Sequence, residues 1–138
     1  MDGTSQSERP GRRCHHDALP DVNRYPSIPA LIDAAIEQYP RRPSFSEGGR
    51  VLTFAELGRA SDAFAAFLQS DDARLKQGAR IAIMLPNVLA YPVVLLGALK
   101  AGLVVVNVNP LYTARELRHQ LGDSGAEALV VFGPVSAV

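Results

Sequence analysis

The 138-residue chain lacks tryptophan, contains a single cysteine and carries no net charge. A lone Cys14 excludes an intramolecular disulfide and fits a reducing compartment. The 14 Lys and Arg residues are balanced by 14 Asp and Glu residues, which argues against a nucleic-acid partner. The sequence also lacks GxGxxG and any Ser/Thr/Gly-rich loop ending in Gly-Lys, so no phosphate-binding loop is predicted.

An uninterrupted apolar run long enough to cross a membrane is missing as well. Residues 88–106 come nearest, with Lys100 as their only charge. Pro92, Gly97 and the step at 100–102 divide this run, whereas a membrane-spanning helix needs about 20 continuous apolar residues. The run therefore predicts a buried helix followed by a buried strand.

Residues 1–27 form a segment rich in Ser, Gly and Pro in which four Arg face four acids. No apolar stretch follows the charges, so a secretory signal is not predicted, and the frequent acids argue against a mitochondrial transit peptide. We expect a disordered tail here and an α/β unit over residues 28–138. The tail holds adjacent Cys14, His15, His16 and Asp17, but neighbouring residues rarely present a tetrahedral ligand set, so no metal site is predicted.

The first half of the α/β unit predicts two helices around a hairpin. Apolar residues at helical spacing predict a helix over 29–39, with proline in its first turn. Strands 44–47 and 50–53 flank Gly48-Gly49, a pair that accepts the positive φ of a two-residue turn. Thr53 and Glu56 form a capping box that opens a helix ending near residue 69.

The second half alternates strands with helices, which predicts right-handed crossovers and a mainly parallel sheet. The predicted strands are residues 80–85, 103–108 and 128–132. One helix is predicted over 87–101, with Asn87 as its cap and Gly102 as its left-handed terminator. A second capping box, Thr113 with Glu116, opens a helix over 114–121 that exits at Gly122 and Gly125.

The amino-acid sequence of residues 28–132 closely resembles those of the AMP-forming acyl-CoA synthetases, and among them the bacterial long-chain fatty acid–CoA ligases. Ala114 departs from the family, where proline is frequent at that position. The matching residues are Pro86-Asn87, Tyr91-Pro92, Lys100-Ala101-Gly102, Asn107-Val108-Asn109-Pro110-Leu111-Tyr112-Thr113, Arg115-Glu116-Leu117, His119-Gln120-Leu121 and Asp123-Ser124-Gly125-Ala126.

The resemblance implies an α/β fold, the N-terminal part of an adenylate-forming enzyme, with a β-hairpin and helices before a βαβαβ sheet. It implies a whole enzyme that converts a fatty acid, ATP and CoA to acyl-CoA, AMP and pyrophosphate through an acyl-adenylate, with Mg²⁺. The family's phosphate loop, adenine site, hinge and catalytic lysine lie beyond this chain, which we therefore expect to be a scaffold fragment, inactive alone and binding no ATP, CoA or Mg²⁺. A cytoplasmic enzyme is implied, compatible with a homodimer and with peripheral association at the cytoplasmic membrane face.

Four features could carry chemistry, and each has a sufficient structural explanation. Lys100 suits the negative end of a helix dipole, and His119 has no evident Ser, Cys or carboxylate partner. The loop at 107–112 and Pro86-Asn87 lie at strand exits, where ligands of open α/β sheets gather, but such loops are more often connectors. We therefore assign no catalytic, cofactor-binding or metal residues.

Two alternatives to the enzymatic reading stay open at this level. The chain could be a non-catalytic α/β binding or oligomerisation module derived from the same family. It could also act as an interaction element, with the tail and first helix docking onto a partner subunit, which is compatible with the enzymatic reading.

Overall fold

The computed structural model describes residues 21–133, and the predicted order of elements is confirmed. A 3₁₀ turn at Val22–Arg24 precedes four helices and five strands in this described part of the chain. In order these are α1 (Ile28–Gln38), β1 (Pro43–Glu47), β2 (Arg50–Thr53), α2 (Phe54–Leu68), β3 (Arg80–Met84), α3 (Ala90–Lys100), β4 (Val104–Asn107), α4 (Ala114–Ser124) and β5 (Ala128–Val131). Residues 1–20 of the predicted tail lie outside the described residues, so its disorder stays a prediction.

The parallel sheet has the strand order β4-β3-β5, with β3 in the centre. Ile81 pairs with Val105 on one side and with Ala128 on the other. Four of the five residues of β3 are buried, whereas β4 and β5 contain none that is fully buried. The predicted parallel βαβαβ arrangement is confirmed, with its core along the middle strand.

The two faces of the sheet are covered differently. On one face, Ile81 and Ile83 pack with residues of α2 and α3 such as Phe64, Val94 and Ala98. On the other face, Ala82 and Met84 pack against half-buried Leu117 and Leu121 of α4. The alternation of side chains along β3 separates these two groups.

Helices α2 and α3 approach each other closely at Gly97. A Cβ at this position would lie 2.9 Å from the Ser61 carbonyl oxygen and 2.9 Å from Phe64 Cδ1. Ser61 itself is fully buried, and its hydroxyl donates to the Gly58 carbonyl at 2.9 Å. The small residue at 97 is therefore required by the packing of two backbones.

The hairpin and the two predicted capping boxes are confirmed. Gly48 and Gly49 have φ of 52° and 82°, as the two-residue turn between β1 and β2 requires. Thr53 accepts from the Glu56 N–H while Glu56 accepts from the Thr53 N–H, and Thr113 and Glu116 repeat the arrangement in α4.

The end of α3 confirms the terminator role of Gly102, which has φ of 77°. Its N–H donates to the Leu99 carbonyl at 3.1 Å, and the Leu103 N–H donates to the Ala98 carbonyl at 3.0 Å. These two bonds form a Schellman motif, which satisfies carbonyls that the helix end would leave free.

The predicted exit of α4 at Gly122 is wrong, because the helix continues to Ser124. The left-handed cap is Gly125, the second of the two predicted exit residues, with φ of 62°. Gly122 stays helical although glycine costs about 1 kcal/mol relative to alanine in a helix. Half-buried Leu117 and Leu121 hold this part of α4 against the sheet.

Candidate functional site

The carboxyl ends of β3 and β4 form the edge where ligands of open parallel sheets bind. The loop after β4 is shaped by Asn109, whose side-chain Oδ1 accepts from the Leu111 N–H at 3.0 Å and whose carbonyl accepts from the Tyr112 N–H at 3.1 Å. Tyr112 is half-buried and packs against the α4 face of the sheet. The loop is thus closed by hydrogen bonds among its own residues, as expected if Asn109, Pro110 and Tyr112 serve to connect β4 with α4.

A second set of polar contacts fixes the same edge. The Tyr91 hydroxyl donates to Asn107 Oδ1 at 2.9 Å, and Gln120 Nε2 donates to the Asn107 carbonyl at 3.0 Å. Residues of α3, β4 and α4 therefore meet at Asn107. Gln120 Oε1 is buried and has no hydrogen-bond partner among residues 21–133, so the edge retains one unsatisfied acceptor.

A cleft of about 260 Å³ lies beside this edge, between the hairpin and the start of α3. It is lined by apolar and aromatic residues together with three polar ones: Phe45, Val88, Leu89, Tyr91, Pro92, Ser46, Asn87 and Glu47. Glu47 Oε2 accepts from the Leu89 N–H at 2.9 Å, so the carboxylate is engaged by the protein.

The predicted cap of α3 by Asn87 is wrong. The helix begins at Ala90, its N-cap is Leu89, and no side chain of its own first turn caps it. The Leu89 N–H is satisfied by Glu47, which lies 42 positions earlier in the chain. Sequence reasoning missed this cap because local caps lie within four residues of the N–H they satisfy.

Lys100 ends α3 as predicted, and the structure adds two partners that the sequence did not reveal. Its Nζ lies 2.8 Å from Asp33 Oδ1 on α1 and 2.7 Å from Asp62 Oδ1 on α2. The Lys100 side chain is only 14% exposed, against 49% for Asp33 and 67% for Asp62. The ammonium thus joins three helices at a point remote from the sheet edge.

The two carboxylates also set the protonation of this amine. Partial burial is the largest single influence and lowers the pKa of Lys100, but the hydrogen bonds and the negative charges of Asp33 and Asp62 together outweigh it and raise that pKa above 10.5. The charged form is therefore favoured throughout the neutral range. A raised pKa makes the ion pairs stabilising below the unfolded-state value, with the contribution lost as pH rises through the folded value.

The remaining candidates acquire no chemical role. His119 is exposed on α4, and Cys14, His15, His16 and Asp17 lie outside the described residues. Within residues 21–133, no three His, Cys, Asp or Glu side chains come together as metal ligands. No helix in this part of the chain is both long and apolar enough to span a bilayer. The assignment of no catalytic, cofactor-binding or metal residues stays a prediction.

At the sheet edge, the described polar side chains are engaged mainly by other groups of the protein. Asn107, Asn109 and Tyr91 are committed to one another or to backbone, and Glu47 is committed to Leu89. Neither a nucleophile–base pair nor a cluster of cations appears among the side-chain contacts at the described edge. That this chain binds no ATP, CoA or Mg²⁺ by itself stays a prediction.

Comparisons with known proteins give a consistent result. The profile of the AMP-binding enzyme family matches residues 32–137. A long-chain-fatty-acid–CoA ligase of Haemophilus influenzae is 52% identical over 111 residues, covering 80% of this chain and 20% of the relative. The ligase of the same name from Bacillus subtilis is 32% identical over 127 residues, covering 91% and 22%. The chain thus spans about a fifth of the length of these relatives.

Solved structures resemble it in fold. The N-terminal subdomain of Klebsiella oxytoca NpsA superposes with a TM-score of 0.74 at 27% identity, covering 80% of this chain and 28% of that one. A benzoate CoA ligase from Burkholderia xenovorans gives a TM-score of 0.71 at 27% identity, covering 77% and 21%.

Proposed function

The chain belongs to the AMP-binding enzyme family, and from that premise we propose that it is an N-terminal part of a long-chain fatty acid–CoA ligase. The observation that carries the proposal is the 52% identity to a ligase of that name, against 27% to the benzoate CoA ligase. The two comparisons cover similar shares of the chain, 80% and 77%.

The whole enzyme would activate a fatty carboxylate, which is a poor electrophile because its carbonyl carbon is electron-rich. A carboxylate oxygen attacks the α-phosphorus of ATP and pyrophosphate leaves. The CoA thiol then loses its proton and attacks the acyl carbon of the adenylate, and AMP leaves as the thioester forms. Mg²⁺ would assist the transfer in the whole enzyme, at residues outside this chain.

The described residues contribute the scaffold of this reaction. The edge at Tyr91, Asn107 and Gln120 and the cleft beside Glu47 provide a fixed surface against which further parts of the protein pack. In this proposal residues 28–138 form an N-terminal α/β subdomain, incomplete by itself, and residues 1–27 a separate tail. Homodimer formation and peripheral contact of the fatty-acid-consuming enzyme with the cytoplasmic membrane face complete the proposal.

A chimera tests the fatty-acyl assignment. Residues 28–133 replace the corresponding segment of the Haemophilus influenzae ligase, and oleate-dependent formation of acyl-CoA is measured. We expect activity to be retained, because half of the residues are shared and the scaffold is preserved. A control chimera carrying the segment of the benzoate CoA ligase should lose most activity. A folded chimera inactive with oleate would contradict the proposal.

The non-catalytic module is separated from this proposal by the native mass. An antibody to residues 43–125 should detect a cellular species several times heavier than the 14.8 kDa of this chain. The purified chain alone should show no fatty-acid-dependent exchange of pyrophosphate into ATP. A native species of 14.8 kDa would favour the binding module instead.

A further inference from the structure

Helix α1 combines an apolar composition with only partial burial. Eight of its eleven residues are Ile, Leu, Ala or Pro, yet none of the eleven is buried within the described structure. Ile28 is 62% exposed. A helix that is apolar on most sides is normally buried, so α1 lies on its neighbours without being enclosed by them.

The segment that follows α1 is attached to α2 by backbone hydrogen bonds. After the helix, the Pro40 carbonyl accepts from the Ala55 N–H at 2.9 Å and the Arg42 carbonyl accepts from the Phe54 N–H at 3.1 Å. The Arg42 guanidinium lies 5.0 Å from the centre of the Tyr39 ring. The two backbone hydrogen bonds tie Pro40 and Arg42 to the first turn of α2, and the Arg42–Tyr39 contact lies within the segment itself.

Along its body, α1 is held by Ile36, which packs against Gly58 of α2, and by the ion pair between Asp33 and Lys100. Lys100 has a second carboxylate, Asp62, on α2. If α1 moves away, the ammonium keeps this partner and no unpaired buried charge is left behind. The usual large penalty for breaking a buried ion pair is thereby avoided.

We propose that α1 is a hinged strap that opens about residues 39–42 independently of the core, with Asp62 as the reserve partner of Lys100. The groove between the helices has one wall on α1, with Asp33, Ile36 and Glu37, and the other on α2 and α3. Opening removes the α1 wall, exposes the wall formed by α2 and α3, and carries residues 21–27 with it. Because an isolated helix of eleven residues is marginal in water, α1 also loses its hydrogen bonds when it opens.

The two carboxylates therefore have opposite effects on opening. Removing Asp33 deletes the bond from the strap to Lys100 and favours the open form. Removing Asp62 deletes the reserve partner, so that opening leaves Lys100 unpaired, and the closed form is favoured. A purely structural triad would instead be weakened by either change.

Native-state hydrogen exchange of the full chain tests this. Asp33→Asn should speed exchange of the α1 amides by roughly two- to fivefold, the range expected for a partly exposed ion pair, and leave the α3 amides unchanged. Asp62→Asn should slow the α1 amides. Glu37→Gln removes the same charge from an exposed position of α1 and serves as the matched control, with no change expected.

Two outcomes would overturn the strap. One is acceleration of α1, α2 and α3 by the same factor in Asp33→Asn, which would mean that α1 opens only when the whole unit unfolds. The other is acceleration of the α1 amides in Asp62→Asn.

The salt dependence of exchange gives a second test. Raising the salt concentration should speed exchange of the α1 amides in the parent chain, since salt screens the ion pair between Asp33 and Lys100. It should have little effect in Asp33→Asn, which lacks that ion pair.

Discussion

The two faces of the parallel sheet show two ways of holding a helix on the same three strands. On the α2 and α3 face, Ile81 and Ile83 are almost fully buried and two helix backbones meet at Gly97. On the α4 face, the helix contributes half-buried leucines, and Val104 and Leu129 of the edge strands remain 48% and 39% exposed. We therefore expect the first face to contribute most of the free energy of unfolding of the unit. The contacts on the second face should stabilise mainly α4 itself.

This difference separates global from local stability. Contacts on the α2 and α3 face bring together α2, α3 and the sheet, so their loss should lower the free energy of unfolding of the whole unit. Contacts of α4 involve one helix and part of one sheet face, so their loss should mainly promote local opening.

Truncating one core side chain on each face should expose the difference most clearly. Ile83→Ala should lower the free energy of unfolding by about 2–5 kcal/mol, because it leaves a cavity in the closed face. Leu117→Ala on the α4 face should cost about 1 kcal/mol, since that side chain is only half-buried. Urea denaturation measures both, with exposed Arg118→Ala as the control expected within about 0.5 kcal/mol of the parent. Equal losses would remove the distinction.

A glycine on each face gives the next largest contrast. Gly97→Ala gains about 1 kcal/mol of helix propensity, but its Cβ would clash with the Ser61 carbonyl, and overpacking costs about 1–3 kcal/mol. We expect net destabilisation. Gly122→Ala meets no atom within 4 Å and should stabilise by about 0.5–1 kcal/mol. Thermal unfolding of both variants checks the signs, and stabilisation by Gly97→Ala would contradict the close approach.

The smallest effect compares the same capping box on the two faces. The Thr53 N–H is the main cause that lowers the pKa of Glu56 below 4.5, and the Thr113 N–H does the same for Glu116. A lowered pKa makes each box stabilising above pH 4.5, and the contribution is lost as pH falls through the folded value. As the pH falls from 6 to 3, we expect the loss of the cap to increase the opening of amides along the whole of α4. In α2, only the amides of the first turn should open more often.

Glu116→Gln supplies the control for this titration. It removes the ionisable group and should abolish the pH response of the α4 amides while leaving the α2 amides as in the parent chain. A pH response of α4 that persists in Glu116→Gln would assign the effect to another group.

Structural features that depend on a few adjacent residues were predictable from the sequence. The two capping boxes, the Gly48-Gly49 turn and the terminator Gly102 each depend on a conformation that one or two residues determine. The resemblance to fatty acid–CoA ligases likewise rested on short motifs of consecutive residues. It is supported by the identity of about half of the residues to ligases of that name.

Features that depend on distant partners were missed. Asp62 lies 38 positions before Lys100, and a charge on one helix gives no sign of which helix will pack against it. Glu47 could not be identified as the partner of Leu89 for the same reason. Gly122 was predicted to end α4 because glycine is common at helix ends. The packing of Leu117 and Leu121 outweighs the low helix propensity of this glycine.

The bond from Leu89 to Glu47 has a consequence for the order in which the chain acquires its structure. Helices α2 and α4 carry their start signals within three residues of the cap, so their first turns can form early. The start of α3 must wait until a loop of 42 positions closes and delivers the hairpin carboxylate. Loop closure of this length slows the contacts that depend on it. We expect the first turn of α3 and the hairpin to gain protection together, as a late and concerted step of refolding.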